Sequence, residues 1–214
     1  MFPSPRVAMS GVPKPVLSEA DYLAQERQAD FKSEFYRGEV FAMAGASRRH
    51  NLIVGNAVTA FNLGLRDSDC QVYPSDMRVK VSATGLVTYP DVSVACGNPV
   101  FDDDQNDTLL SPVVLIEVLS KSTESYDRGA KFEQYRHLKS LRHYLLIAQD
   151  RIHVEHFSLQ DDGNWLLREC NEINGTVELK PLNCELAVGD FYRKVDLSGT
   201  EELRGGAETR SAEP

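Results

Sequence analysis

Two carboxylates of this chain stand where carboxylates are costly. Asp91 follows Pro90 at the head of the apolar run in TYPDVSVACG, and Glu117 sits inside the still more apolar VVLIEVL. A charged side chain in a buried strand is unfavourable unless it is paired or binds a metal. A lysine follows on a predicted helix. Phosphodiester hydrolysis needs a nucleophilic water and charge stabilisation at phosphorus, and a hard divalent cation supplies both. Magnesium takes a few carboxylates together with waters and substrate oxygens. If the two strands pair, Asp91 and Glu117 converge on one cation, as a metal-dependent phosphodiester hydrolase requires. Two plainer structures compete with this one: a turn-forming Pro-Asp at a strand start, and a buried glutamate paired with a lysine.

The nearest lysines after Glu117 are Lys121, directly beyond the strand, and Lys131 on the following helix. Asp127, Lys131 and Tyr135 fall at i, i+4 and i+8 and share one helix face. Gln134 and Tyr135 face inward or outward according to helix phase. Asp76, after Pro74-Ser75, reads as a turn residue. His137, His143, His153 and His156 show no metal-ligand spacing and read as surface or sheet-face residues.

The elements that must hold these residues follow from periodicity and punctuation. Ser18 with Glu19 and Asp21 marks the start of a short helix, EADYLAQERQ. FYRGEVFAMA reads as a hairpin turning at Arg37-Gly38. Ser47 is placed to cap a longer helix in which Ile53, Ala57, Ala60 and Phe61 recur at helical spacing. CQVYP, DMRVKVS and LVTYPDVSVAC read as strands, the last two forming an antiparallel hairpin through SATG. PVVLIEVLS should be central, and Thr123 should cap the helix ESYDRGAKFEQYRHL. SLRHYLLIAQ and IHVEHFSL follow as strands, then short peripheral strands to Val195. This order predicts an α/β (α+β) domain: a mixed β-sheet core flanked by helices, with an N-terminal helix and hairpin as an extension.

A chain of 214 residues suits one core. The expected division is a flexible arm over 1–15, a single domain over 16–196 and a disordered tail over 197–214. No apolar run approaches the length that spans a bilayer, and the proline-rich start does not read as a signal peptide. Cys70, Cys96, Cys170 and Cys184 are far apart with no CxxC pair, so reduced thiols in a cytoplasm are the simplest reading. The net charge of −9 opposes non-specific nucleic-acid binding. Lys121 to His143 nevertheless holds six Lys/Arg against three acids, and Arg48, Arg49 and His50 form a second basic spot.

GEVFAMAGASRRHN, YPSDMRVKV, YPDVSV, PVVLIEVLSKST, YDRGAKFEQYR and LRHYLLI occur in this order from about Glu34 to about Trp165. The set resembles the Uma-two family of restriction-endonuclease-like proteins, within the PD-(D/E)XK nuclease superfamily. The resemblance implies a restriction-endonuclease-like fold and a DNA endonuclease using Mg2+ or Mn2+. It implies catalytic Asp91 and Glu117, with the backbone carbonyl of Val118 as a further metal ligand. The superfamily's strand lysine is missing, because Leu119 stands two residues after Glu117. The family pattern has a lysine at the helical place of Lys131, which is therefore assigned the migrated role of orienting water and offsetting phosphate charge. Glu39 and His50 also match family positions, as a further carboxylate and as a group that contacts phosphate or positions water. The expected partners are DNA and a second copy of the chain. The missing strand lysine and the acidic surface keep a second class open, a catalytically silent nuclease-fold interaction module.

Overall fold

The computed structural model describes residues 17–198; the arm and nearly all of the tail expected at the two ends lie outside these residues. Helix α1 (Glu19–Glu26) begins where the Ser18 hydroxyl accepts the amide of Asp21. Strands β1 (Ser33–Tyr36) and β2 (Glu39–Ala42) form an antiparallel hairpin. It turns on Arg37 and Gly38, both at positive φ, the pattern of a two-residue hairpin loop. Helix α2 (Arg48–Gly64) is capped by Ser47, whose hydroxyl accepts the amide of His50, and it buries Ile53, Ala57, Ala60 and Phe61.

Four short strands come next: β3 (Gln71–Pro74), β4 (Arg78–Val81), β5 (Leu86–Thr88) and β6 (Val92–Ala95). β4 and β5 pair antiparallel across the SATG turn, with Gly85 at positive φ. LVTYPDVSVAC is not one strand, as the apolar pattern suggested. β5 belongs to a five-stranded sheet and β6 to a six-stranded sheet, and the chain crosses between them at Tyr89-Pro90-Asp91. Proline has no N–H to give to a ladder, so the crossing falls at the residue that can leave one without loss.

β7 (Thr108–Leu109) closes the first sheet, whose order is β2-β1-β5-β4-β7. β8 (Val114–Leu119) lies inside the second sheet and is buried along its whole length. The helix after it is divided: α3 (Glu124–Tyr126), a π-helical turn (Asp127–Lys131) and α4 (Phe132–Tyr135). Thr123 precedes it without making a side-chain cap; its hydroxyl is 2.9 Å from that of Ser120. β9 (His143–Ala148), β10 (Val154–Leu159) and β11 (Trp165–Cys170) complete the sheet order β11-β10-β9-β8-β6-β3. β12 (Thr176–Leu179), β13 (Cys184–Ala187) and α5 (Val188–Phe191) follow as a small hairpin and a helical turn.

β8 and β9 are parallel, and parallel neighbours need a crossover that returns over one face of the sheet. That crossover is the divided helix, so the topology lays Lys131 over β8. The alternation of β8 sends Val114, Ile116 and Val118 into the core with α2, and Leu115 and Leu119 into the core with Tyr135 and Tyr144. Glu117 therefore faces the crossover helix. Among the described residues no helix is long and apolar enough to cross a membrane.

The expectation of four reduced cysteines needs correction. Cys70 and Cys96 form a disulfide, with Cys170 and Cys184 free. β3 pairs antiparallel with β6, Gln71 opposite Ala95, so one more step of register sets the two cysteines across from each other. Strand pairing over 26 residues is invisible to cysteine spacing. Of the two places expected for the histidines, His143 and His156 take the sheet face, buried there with Nδ1 to Nε2 at 2.9 Å and with the turn of the β12–β13 hairpin close to His143. Burial, with Arg142 beside one ring and His143 and Arg168 beside the other, pushes both imidazoles down to about 4. The unfolded chain takes up these protons near pH 6.5 and the folded chain near pH 4. The stability is complete above 6.5 and lost as the pH falls through that window. Between pH 6.5 and 5 the loss should be about 2 kcal/mol per histidine. Thermal melts should show Tm falling by several degrees there, and less in His156→Gln. A flat Tm over that range would refute neutral buried imidazoles.

Candidate metal centre and active site

The antiparallel register of β6 on β8, Val92 opposite Ile116, extends to place Asp91 opposite Glu117. Opposed residues of neighbouring strands project from the same face. The amide of Val118 donates to Asp91 Oδ2 at 2.7 Å, which ties the start of β6 to the residue after Glu117. His50 Nε2, from the first turn of α2, lies 3.1 Å from the same oxygen.

Glu117 is 4% exposed. Its Oε1 accepts from Tyr135 Oη at 2.8 Å and lies 2.9 Å from Lys131 Nζ. Lys131 is equally buried, with Glu34 at 3.3 Å and Asp127 at 3.7 Å, and its ammonium stands beside the rings of Tyr126 and Tyr135. Glu34 comes from β1 in the other sheet and also accepts the Thr88 hydroxyl. The centre thus lies at the junction of the two sheets, under the π turn. π turns recur at functional sites because the widened turn re-aims side chains.

Burial sets the electrostatics. It pushes the Glu117 carboxyl up to about 8, with Asp127 and Asp91 adding repulsion that Lys131 only partly offsets. Asp127 is raised for the same reasons. Burial alone would lower Lys131, but Glu117, Glu34 and Asp127 hold its ammonium protonated. One lysine faces four carboxylates, so their full ionisation would leave an excess of negative charge that a further cation would offset.

The donors suit a hard cation. Asp91 Oδ2 and Glu117 Oε1 are anchored by N–H and O–H donors, while Oδ1 and Oε2 accept no hydrogen bond among the described residues. Two free carboxylate oxygens and a nearby backbone carbonyl are ligands for Mg2+ or Mn2+ rather than for a soft metal.

The other sequence candidates fall out as follows. Glu39 is exposed on edge strand β2 and makes no ion pair among the described residues; Glu34, on the partner strand, occupies the cluster. The hairpin carries both acids, and only the sheet order shows which strand lies inward. His50 contacts Asp91. Lys121 is exposed in the turn after β8 and outside the cluster. Asp76 is in a turn and pairs with Lys32 at 3.0 Å. Asp127 joins the centre on the helix face that its spacing with Lys131 predicts, while Thr88 and Tyr126 join it without a sequence signal.

A second group was hidden because its members meet across strands. His153, Glu155 and Glu169 bring one nitrogen and two carboxylate oxygens within 4.8 Å of one another. Glu155 and Glu169 are register partners on β10 and β11. Arg128, from the π turn, already forks onto Glu155 at 2.8 Å and reaches Glu124 at 2.8 Å. Its charge compensates the group and braces the turn that carries Lys131.

The mixed sheet, the parallel crossover and the carboxylates at a strand junction define a restriction-endonuclease-like fold. A solved structure described as a "putative nuclease belonging to DUF820" from Anabaena variabilis superposes with a TM-score of 0.63 at 17% identity, covering 77% of this chain and 92% of that one. The family described as "Putative restriction endonuclease", Uma2, matches residues 19–189, and the chain belongs to it. Two uncharacterized proteins of Synechocystis sp. are relatives. One is 35% identical over 85% of this chain and 94% of its own length, the other 37% identical over 76% and 92%.

Proposed function

We propose that this protein is a metal-dependent endonuclease that hydrolyses DNA phosphodiester bonds. The observation that carries the reading is the buried contact of Lys131 with Glu117, on the strand next to Asp91. Asp91, Glu117 and the Val118 carbonyl would hold Mg2+, or Mn2+ in its place. When bound, the cation supplies positive charge at the phosphate and acidifies a water.

The chain's own groups do the rest. The Val118 amide and His50 fix the Asp91 carboxylate, and Tyr135 and Lys131 fix that of Glu117, so neither must reorganise. Lys131, with its ammonium against Glu117, takes the role of the superfamily's missing strand lysine in this reading. It offsets charge developing on the phosphate oxygens and orients the attacking water. One such centre cuts one strand, so a homodimer completes the reading.

Leu119 at the strand-lysine position favours the silent-module reading. The ammonium of Lys131 in the same centre favours the nuclease. Incubating supercoiled plasmid with the purified protein and excess magnesium should give nicked circles, and EDTA should prevent them. No cleavage with magnesium or manganese, together with tight self-association or capture of a defined protein, would establish the module instead.

A further inference from the structure

A groove of about 610 Å³ opens between the start of α2 and the carboxyl ends of β8 and β9. Arg48, Arg49, Lys121 and Arg151 line it, with Glu124, Asp150 and Asp196 as its acids. Those acids have partners: Arg128 for Glu124, Arg151 for Asp150 at 3.0 Å, and the amide and hydroxyl of Ser198 for Asp196. The cations largely do not. Among the described residues Arg48 and Lys121 make no ion pair, and Arg49 donates only to the Ser198 carbonyl at 3.1 Å. Ser198 first, then Arg49 and Arg48 by their charge, hold the Asp196 carboxyl below its ordinary value.

Arg48 and Arg49 also break a local rule. They and His50 fill the first turn of a 17-residue helix that has no acid there. A helix N-terminus carries partial positive charge and favours anions, so arginines at that end are unfavourable unless an anion joins them. On a chain of net charge −9, unpaired cations gathered on two separate elements mark a place for negative charge. The groove also adjoins the metal centre. Leu119 and Ser120, in its wall, directly follow Val118, and His50, in the same turn as the arginines, touches Asp91.

We infer that this groove holds the phosphate backbone of the DNA strand flanking the scissile bond, through Arg48, Arg49 and Lys121. The inference rests on the nuclease reading and adds to it which surface receives the substrate. Charges spread over the start of α2 and the turn after β8 match successive phosphates of a strand. Contacts of this kind position a strand without reading its sequence.

The test measures binding apart from cutting. Glu117→Gln, with calcium in place of magnesium, is titrated against a fluorescein-labelled duplex by anisotropy over a salt series. Arg48→Glu, Arg49→Glu and Lys121→Glu placed in that background should each weaken binding by about tenfold. Each should lower the slope of log K against log salt by about one contact. Arg66→Glu, in the turn just past the far end of the same helix, should change neither. In the cleaving protein the loss should appear in KM. Circular dichroism melts confirm that the variants fold. A parent that cuts DNA while the three substitutions leave Kd and salt slope unchanged overturns the groove and spares the nuclease. A parent that neither binds nor cuts DNA overturns both. Weakening by Arg66→Glu equal to theirs shows general charge attraction and also overturns the groove. Inorganic phosphate competing at micromolar concentration would mark a small-anion site and overturn the strand assignment.

Discussion

Asp91→Asn and Glu117→Gln are expected to fold and to lose magnesium-dependent nicking by roughly 100-fold or more, the scale seen when one preorganised electrostatic group is removed. The amide replacements matter. Asp91→Ala would leave the Val118 N–H without its acceptor, at a cost of about 1–3 kcal/mol if that donor is buried. Asp91→Asn keeps an oxygen for it. Glu117→Gln still accepts from Tyr135, and Lys131 retains Glu34 and Asp127. What both variants lose is a charged oxygen for the cation. Magnesium should therefore raise the Tm of the parent by mass action and raise it far less in either variant. The effect should carry a pH signature. Glu117 is pushed up to about 8 by burial and by Asp127 and Asp91. Below that pH a cation must displace its proton, so the magnesium-induced rise in Tm should grow from pH 6 toward 8. Variants that nick as fast as the parent, or a magnesium effect independent of both residues, would remove Asp91 and Glu117 from the site.

The features that sequence reveals here are those written in one stretch of chain. Glu117 announces itself because an acid in VVLIEVL has no bland surface role, and the helical spacing of Asp127, Lys131 and Tyr135 predicts one shared face. The same local signals predict the SATG hairpin and the Ser47 cap. What is hidden depends on which strands become neighbours. Glu34 and Glu39 look alike in FYRGEV and its surroundings; β1 is inward and β2 is the edge only because β5 pairs on one side of β1. Cys70 and Cys96, His143 and His156, and Glu155 and Glu169 all meet through register, which composition and spacing do not encode. The two-sheet division hides for another reason. LVTYPDVSVAC is apolar on both sides of Pro90, and an apolar run carries no mark of which sheet each half joins. That joint places Asp91 at the head of its strand, opposite Glu117, so the fold's least legible turn is also the one its chemistry needs.

Lys131→Ala should be the most damaging single change to the metal-free protein and should lose about 100-fold in turnover. Its ammonium is buried against Glu117, Glu34 and Asp127. Removing one partner from a buried ionic group typically costs about 3–5 kcal/mol, because the remaining charges stay desolvated. For a domain of this size that corresponds to a Tm lower by on the order of 10 °C. Proton uptake by the carboxylates will recover part of it at low pH, so the deficit should widen as the pH rises. Magnesium separates the two contributions of the lysine. A cation bound by Asp91 and Glu117 neutralises part of the same excess charge, so saturating magnesium should restore much of the lost Tm. It should not restore the rate, since it cannot supply an ammonium at the phosphate. Lys121→Ala should behave oppositely, with an unchanged Tm and a loss confined to KM, because Lys121 is exposed and outside the cluster. If Lys131→Ala turns over normally when magnesium has restored its fold, the lysine is a structural counter-ion only. If Lys121→Ala is instead the variant with no turnover, the missing strand lysine is replaced from the turn after β8 and not from the helix.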